Sequence, residues 1–257
     1  MKKMLACLAM ITLFLPTFAW AGWIIEDQEV DPDTGATQAL YVQDEKAMAG
    51  NPNQGVKVIF DVKNSKLFFV SPEQKAYWSG TPEEFSKAKI VAMEAAMKKY
   101  MAKVSPEQKK MFQAQMKAMK QAALKKSQTP IPVAKVKKTN ETKELAGKKT
   151  QKHQIFIKGN LVAEMWITPE INLSDEVDIK AMNKMIQSLS DEVDYSSSKQ
   201  VVSLFENGYP LRVVEYEDGE QNETQRVGKV IKKDIPAEYF EVPQSYKKIT
   251  LDKLNFE

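Results

Sequence analysis

Residues 67–84, LFFVSPEQKAYWSGTPEE, decide how the chain is read. Leu67-Phe68-Phe69-Val70 is a short apolar run of strand-forming residues, and Ala76-Tyr77-Trp78 is a second. Ser71-Pro72-Glu73-Gln74 between them supplies turn residues, so 67–78 reads as a β-hairpin. At Thr81 the pattern changes. Thr81-Pro82-Glu83-Glu84 is a helix start: a hydroxyl cap, a proline at the first helical position, and a carboxylate placed to reach back to the cap. Ser105-Pro106-Glu107-Gln108 repeats the logic. From 83 to 126 there is no Gly and Pro106 is the only Pro, which predicts two helices, over 82–103 and 106–126. Their apolar stripes are Ile90, Met93, Met97, Met101 and Val104, then Phe112, Met116, Met119 and Ala123, spaced i, i+3/i+4 as an inward face requires.

Working outward, strands are expected at 23–31, 38–43 and 56–62 as well as 67–71 and 75–78. Asp33-Thr34-Gly35 and Gly50-Asn51-Pro52 mark turns between them. Connections this short predict antiparallel pairing, because parallel crossovers need a dozen or more residues. Residues 127–152 are rich in Lys, Thr and Pro and read as a linker with one strand around 133–138. Gly159-Asn160 joins strands at 154–158 and 161–168. Ser174 caps a further helix through Leu189, with Ile179, Met182, Met185, Ile186 and Leu189 inward. Strands at 201–206, 211–216 and 224–232 follow, separated by Asn207-Gly208 and Asp218-Gly219, and 239–249 is a loop with a last strand.

The chain has 257 residues, 43% hydrophobic and 28% charged, an ordinary globular composition. One Cys and one His exclude an intramolecular disulfide, a Cys-rich zinc site and a His-rich metal cage. Residues 1–21 read as a signal peptide: Lys2 and Lys3, an apolar run from Met4 to Leu15, then Ala19-Trp20-Ala21 before a cut at Gly22. Cys7 lies inside it, so the mature chain, 22–257, is expected to carry no thiol. Export without eukaryotic features points to the periplasm of a Gram-negative bacterium.

Of the 37 basic residues 35 are Lys, and Arg212 and Arg226 are the two arginines. Residues 83–152 carry net +12, against −4 for 22–82 and −7 for 153–257. A basic helical insertion on an acidic body suits an anionic membrane surface or an acidic partner. Nucleic acid is disfavoured by export and by the use of Lys where paired phosphate contacts prefer Arg.

Met93, Met97 and Met101 share a helix face. Exposed thioether clusters can take Cu(I), but Met at this spacing is the usual filler of adaptable apolar surfaces, so no metal is expected. His153 lacks a partner acid at a telling spacing and reads as a surface or edge-strand residue. Glu26/Asp27 and Asp191/Glu192/Asp194 lack a calcium-loop pattern. No nucleophile elbow, phosphate-cradling loop or zinc signature occurs. The expectation is a non-enzymatic protein without a cofactor.

Several local patterns resemble the periplasmic family of domain of unknown function 4412. They are the strand–turn–strand from Leu67 to Tyr77, the Met- and Lys-rich stretch after it, and Leu161 to Thr168 with Trp166. Asn207-Gly208-Tyr209-Pro210-Leu211-Arg212 and Phe240-Glu241-Val242-Pro243 with Tyr246 complete the set. That family looks related to the outer-membrane lipoprotein carriers of the LolA/LolB type. The resemblance implies an α+β fold: a curved antiparallel sheet, an incomplete β-barrel, with helices against its concave face. On this reading residues 22–257 form one LolA-like domain, with a helical hairpin inserted at 82–126 after the fifth strand and one further helix. An apolar ligand, a lipid or lipoprotein acyl chain, would lie between sheet and helices. Met93, Met97, Met101, Phe112, Met116 and Met119 would line or gate the site. The alternative is an envelope scaffold that docks on an anionic membrane or an acidic partner through its Lys-rich helices.

Overall fold

A computed structural model of the chain describes residues 21–30, 37–51, 55–101, 105, 108, 109, 111, 114, 117, 129–190 and 193–255. The expected signal peptide, and Phe112, Met116 and Met119, lie outside the described residues.

The fold is α+β. Six strands come first: β1 (Gly22–Val30), β2 (Thr37–Gln43), β3 (Lys46–Gly50), β4 (Lys57–Asp61), β5 (Lys66–Ser71) and β6 (Ala76–Gly80). Helix α1 (Pro82–Met101) follows, then β7 (Ala134–Leu145), β8 (Lys148–Ile157) and β9 (Asn160–Thr168). Helices α2 (Ile179–Leu189) and α3 (Lys199–Glu206) precede β10 (Tyr209–Glu217), β11 (Glu220–Lys233) and the two-residue β12 (Lys247–Lys248). All twelve strands make one sheet in the order β12-β6-β5-β4-β3-β2-β1-β11-β10-β9-β8-β7. Two antiparallel meanders therefore meet where β1 pairs with β11, and among the described strands only β12 runs parallel to its neighbour, β6. The sheet is open and not strongly curled, which corrects the expectation of an incomplete barrel. Its end strands β12 and β7 stand at opposite edges.

In the first meander the pleat buries both faces. Trp23, Ile25, Phe60, Leu67, Phe69 and Trp78 point into the core shared with the helices and with Leu251 and Leu254. Their alternates Ile24, Ile59 and Val70 are covered by Ile235 and Phe240 of the C-terminal segment. Burial on both sides explains why these strands read as continuous apolar runs. Ala163, Met165, Ile167 and Val213 of the second meander pack with Val201 of α3.

Four local readings change. Strand β3 was not expected: its Ala and Met are weak strand formers, yet Ala47 and Met48 are fully buried. Its entry turn uses Asp44 and Glu45 at positive φ, 51° and 60°, without glycine. The insertion therefore follows the sixth strand. Most of the expected linker is the long β7–β8 hairpin, whose Lys-rich outer strand lies at the sheet edge, where exposed charge blocks further pairing. The strand expected at 201–206 is helix α3, with Val201 and Val202 buried on one side. The helix expected from Ser174 begins at Ile179 under an Asp178 cap, after a 3₁₀ turn at Leu173–Asp175, and Ile186 is exposed rather than inward.

Candidate functional site

Helix α1 starts as its sequence dictates. The Thr81 N–H donates to Glu84 Oε2 at 2.7 Å and the Glu84 N–H to Thr81 Oγ1 at 3.2 Å, the reciprocal capping box. One turn in, Phe85 stacks on Phe69, ring centroids 4.8 Å apart and 9° from parallel, with the Trp78 edge 5.6 Å away. Ala88 and Ala92 continue this line against the core. The inward stripe is thus Phe85, Ala88, Ala92, and the predicted Met stripe is rotated off it. Successive helical residues turn by about 100°, so Met93, one step past Ala92, sits on the flank. Met93, Met97 and Met101 are accordingly half-buried; Tyr100, which is 55% exposed, lies on the same flank, and Val91, which is 58% exposed, on the opposite one. Beyond Met101, the Gln108 N–H donates to Ser105 Oγ and the Ser105 N–H to Gln108 Oε1. Residues 108, 109, 111, 114 and 117 are helical, and Met111 is exposed.

Polar groups converge elsewhere. Lys152 Nζ lies 2.8 Å from Glu164 Oε1 and 3.4 Å from Glu141 Oε1, and 5.8 Å from the Trp166 ring centroid. Gln154 and Tyr216 also donate to Glu164, at 2.9 and 3.1 Å. Burial would raise the Glu164 pKa, but these three hydrogen bonds outweigh it and hold the carboxyl below its ordinary range. A carboxylate this well satisfied clasps strands together; it is a poor general base. His153 lies in β8, an interior strand, and is half-buried with Nδ1 3.0 Å from the Gln151 carbonyl oxygen. Burial lowers its pKa. Among the described residues no group of three or more His, Cys, Asp or Glu is placed to hold a metal ion.

The stretches that carry the family resemblance fall on defined elements: Leu67 to Tyr77 is the β5–β6 hairpin, Leu161 to Thr168 is β9, and Asn207 to Arg212 leads from α3 into β10. At that last junction a Cβ on Gly208 would come within 2.5 Å of the Thr168 carbonyl oxygen, so the close approach requires glycine. Residues 61–246 match the family described as domain of unknown function DUF4412. The chain belongs to the DUF4412 family. The matched span of this DUF4412 protein runs from the end of β4 through the helices to the covering C-terminal segment. No curated protein and no solved structure matches the chain.

Sequence reasoning did not single out a site at the arginines. The structure places Arg212 and Arg226 opposite each other on β10 and β11. The signal was available: a chain that uses Lys almost everywhere keeps Arg at two positions.

Proposed function

We infer that the protein is a non-enzymatic envelope protein that binds an apolar ligand, a lipid or lipoprotein acyl chain, along the flank of α1. The observation that carries this reading is the half-buried line Met93, Met97, Met101, with exposed Tyr100 on the same flank of the helix. The base of α1 is closed by aromatic packing, and the half-buried Met residues follow beyond Ala92. Flexible thioethers suit ligands of varied shape. Support also comes from the resemblance to LolA/LolB-type carriers, whose interior holds acyl chains.

Native mass spectrometry of protein purified from periplasm, followed by titration of delipidated protein with a fluorescent fatty acid, tests the reading. The triple change Met93→Ser, Met97→Ser, Met101→Ser is expected to weaken binding by about tenfold or more, because it removes apolar contact area. Protein that carries no lipid and takes up no fatty acid sinks the idea.

A second reading rests on the start of β7. Ile131 and Val133 are 52% and 84% exposed, and Lys135, Lys137 and Lys138 follow on the same exposed edge. Apolar residues beside clustered Lys suit docking on an anionic bilayer. Sedimentation with anionic but not neutral liposomes, lost at high salt and without ligand in the protein, would favour it over the first.

A further inference from the structure

Lys serves well as a solvated charge, whereas the planar guanidinium matches pairs of oxygens. It is therefore informative that the two arginines of this chain are Cα partners across β10 and β11. Like charges directly opposite in a ladder are destabilising. Glu223 compensates them. Arg226 forks onto it, Nε to Oε1 at 2.8 Å and Nη2 to Oε2 at 2.6 Å, and Arg212 Nε donates to Oε1 at 2.6 Å. The hydrogen bonds from Arg226 in particular hold the Glu223 carboxyl below its ordinary range, so it stays ionised. One carboxylate against two guanidiniums leaves one positive charge. It also leaves Nη1 of Arg226 and both Nη atoms of Arg212 without a hydrogen-bond partner among the described residues.

These arginines wall a cleft of about 410 Å³, together with Gln28, Lys143, Glu144 and Gly228, and Glu223 is not among its lining residues. Glu223 thus orients the guanidiniums without occupying the cleft. The surrounding ladders are irregular where those of β2 to β6 are regular. Register shifts fall between Pro210 and Arg212, Val213 and Val214, Glu26 and Asp27, and Lys138 and Thr142. Bulges of this kind re-aim side chains and cluster beside functional sites. Gly228 is the residue skipped in the β1–β11 register, and a Cβ on it would lie 2.9 Å from Gln28 Cα, so a larger residue would push the cleft wall apart.

We propose that this cleft binds a carboxylate group of a small molecule through the unpaired Nη edges of Arg212 and Arg226, with Lys143 at its rim. The charge favours a monoanion. Lys143 and Glu144 cancel, and Glu29, close enough to act on Arg226, offsets the +1 of the Arg–Arg–Glu trio, so the cleft suits the single charge of a carboxylate better than a phosphate dianion. The site is separate from the flank of α1, which packs on β5 and β6 across the sheet.

Because the chain contains two arginines, its arginine Nε–H resonances reduce to two, and they report on the site without any substitution. The full mature chain, isotope-labelled at arginine, is titrated with sodium acetate or succinate, with sodium phosphate, and with sodium chloride at matched ionic strength. Saturable shifts of both resonances with the carboxylates, absent with chloride and weaker with phosphate, are expected. Lys143→Gln, an exposed change at the hairpin tip, should weaken carboxylate binding several-fold and leave the starting resonances in place. Arg226→Gln should weaken it by about tenfold or more, since it removes a charged fork. Carboxylate shifts no larger than those with chloride overturn the proposal. A tighter response to phosphate than to carboxylate overturns the assigned ligand class.

Discussion

Glu176 is buried beneath the Asp44–Glu45 turn, whose Glu45 N–H donates to the Glu176 carbonyl at 2.8 Å. Its Oε2 has no hydrogen-bond partner among the described residues, and burial pushes its pKa above the ordinary carboxylate value. A carboxyl with a raised folded pKa favours the native state while protonated, and that contribution is lost as pH rises through the folded value. At neutral pH Glu176 is therefore a poorly solvated charge. Glu176→Gln is expected to raise the thermal midpoint at neutral pH by about 2–4 °C, the shift 1 kcal/mol gives a chain of this size, and to lose that advantage in acid. His153 has the opposite relation. Its folded value lies below 6.5, so the unfolded chain binds the proton first and stability declines as pH falls through that region. Melting curves across this range should slope downward on acidification, and less steeply in His153→Gln. Neither environment is legible in the sequence: Glu176 is buried by a turn far earlier in the chain, and His153 by pairing with β7 and β9 on either side, whose register no local pattern carries.

Among the elements, α1 was the most legible and also misleading. Its start followed from Thr81-Pro82-Glu83-Glu84, since a capping box is made of residues within one turn. Its inward face does not follow, because the Met stripe has helical spacing too and nothing within the helix says which stripe the sheet accepts. The sheet instead offers the Phe69–Trp78 aromatic pad, which takes Phe85, and small alanines then let the helix lie close. Phe85→Ala should cost about 3–5 kcal/mol in denaturant unfolding, and Thr81→Ala about 1 kcal/mol. The β7–β8 hairpin shows the reverse error. Its Lys and Thr suit a solvated linker, yet an edge strand tolerates the same composition, and Gln200 of α3 accepts from the Val136 N–H at 2.8 Å.

At the scale of the whole molecule, the segment after β11 is a cover. Ile235 and Phe240 bury the outer face of the first meander, Tyr239 lies 5.1 Å from Tyr41, and β12 adds to β6. A chain ending at Lys233 should expose Ile24, Met48, Ile59 and Val70, bind an apolar fluorescent dye and unfold at lower denaturant. Loss of the Phe240 contact alone is worth about 3–5 kcal/mol. The α+β class, the antiparallel hairpins and the helix after the Leu67–Trp78 hairpin were determined by the sequence itself, because turns, caps and short apolar runs act over a few residues. Only the tertiary structure decided that the sheet is open, that β1 and β11 join its halves, that Ala rather than Met faces inward on α1, and that the two arginines share a cleft. Each of these depends on pairing or packing between residues distant in the chain, where no local pattern carries the register.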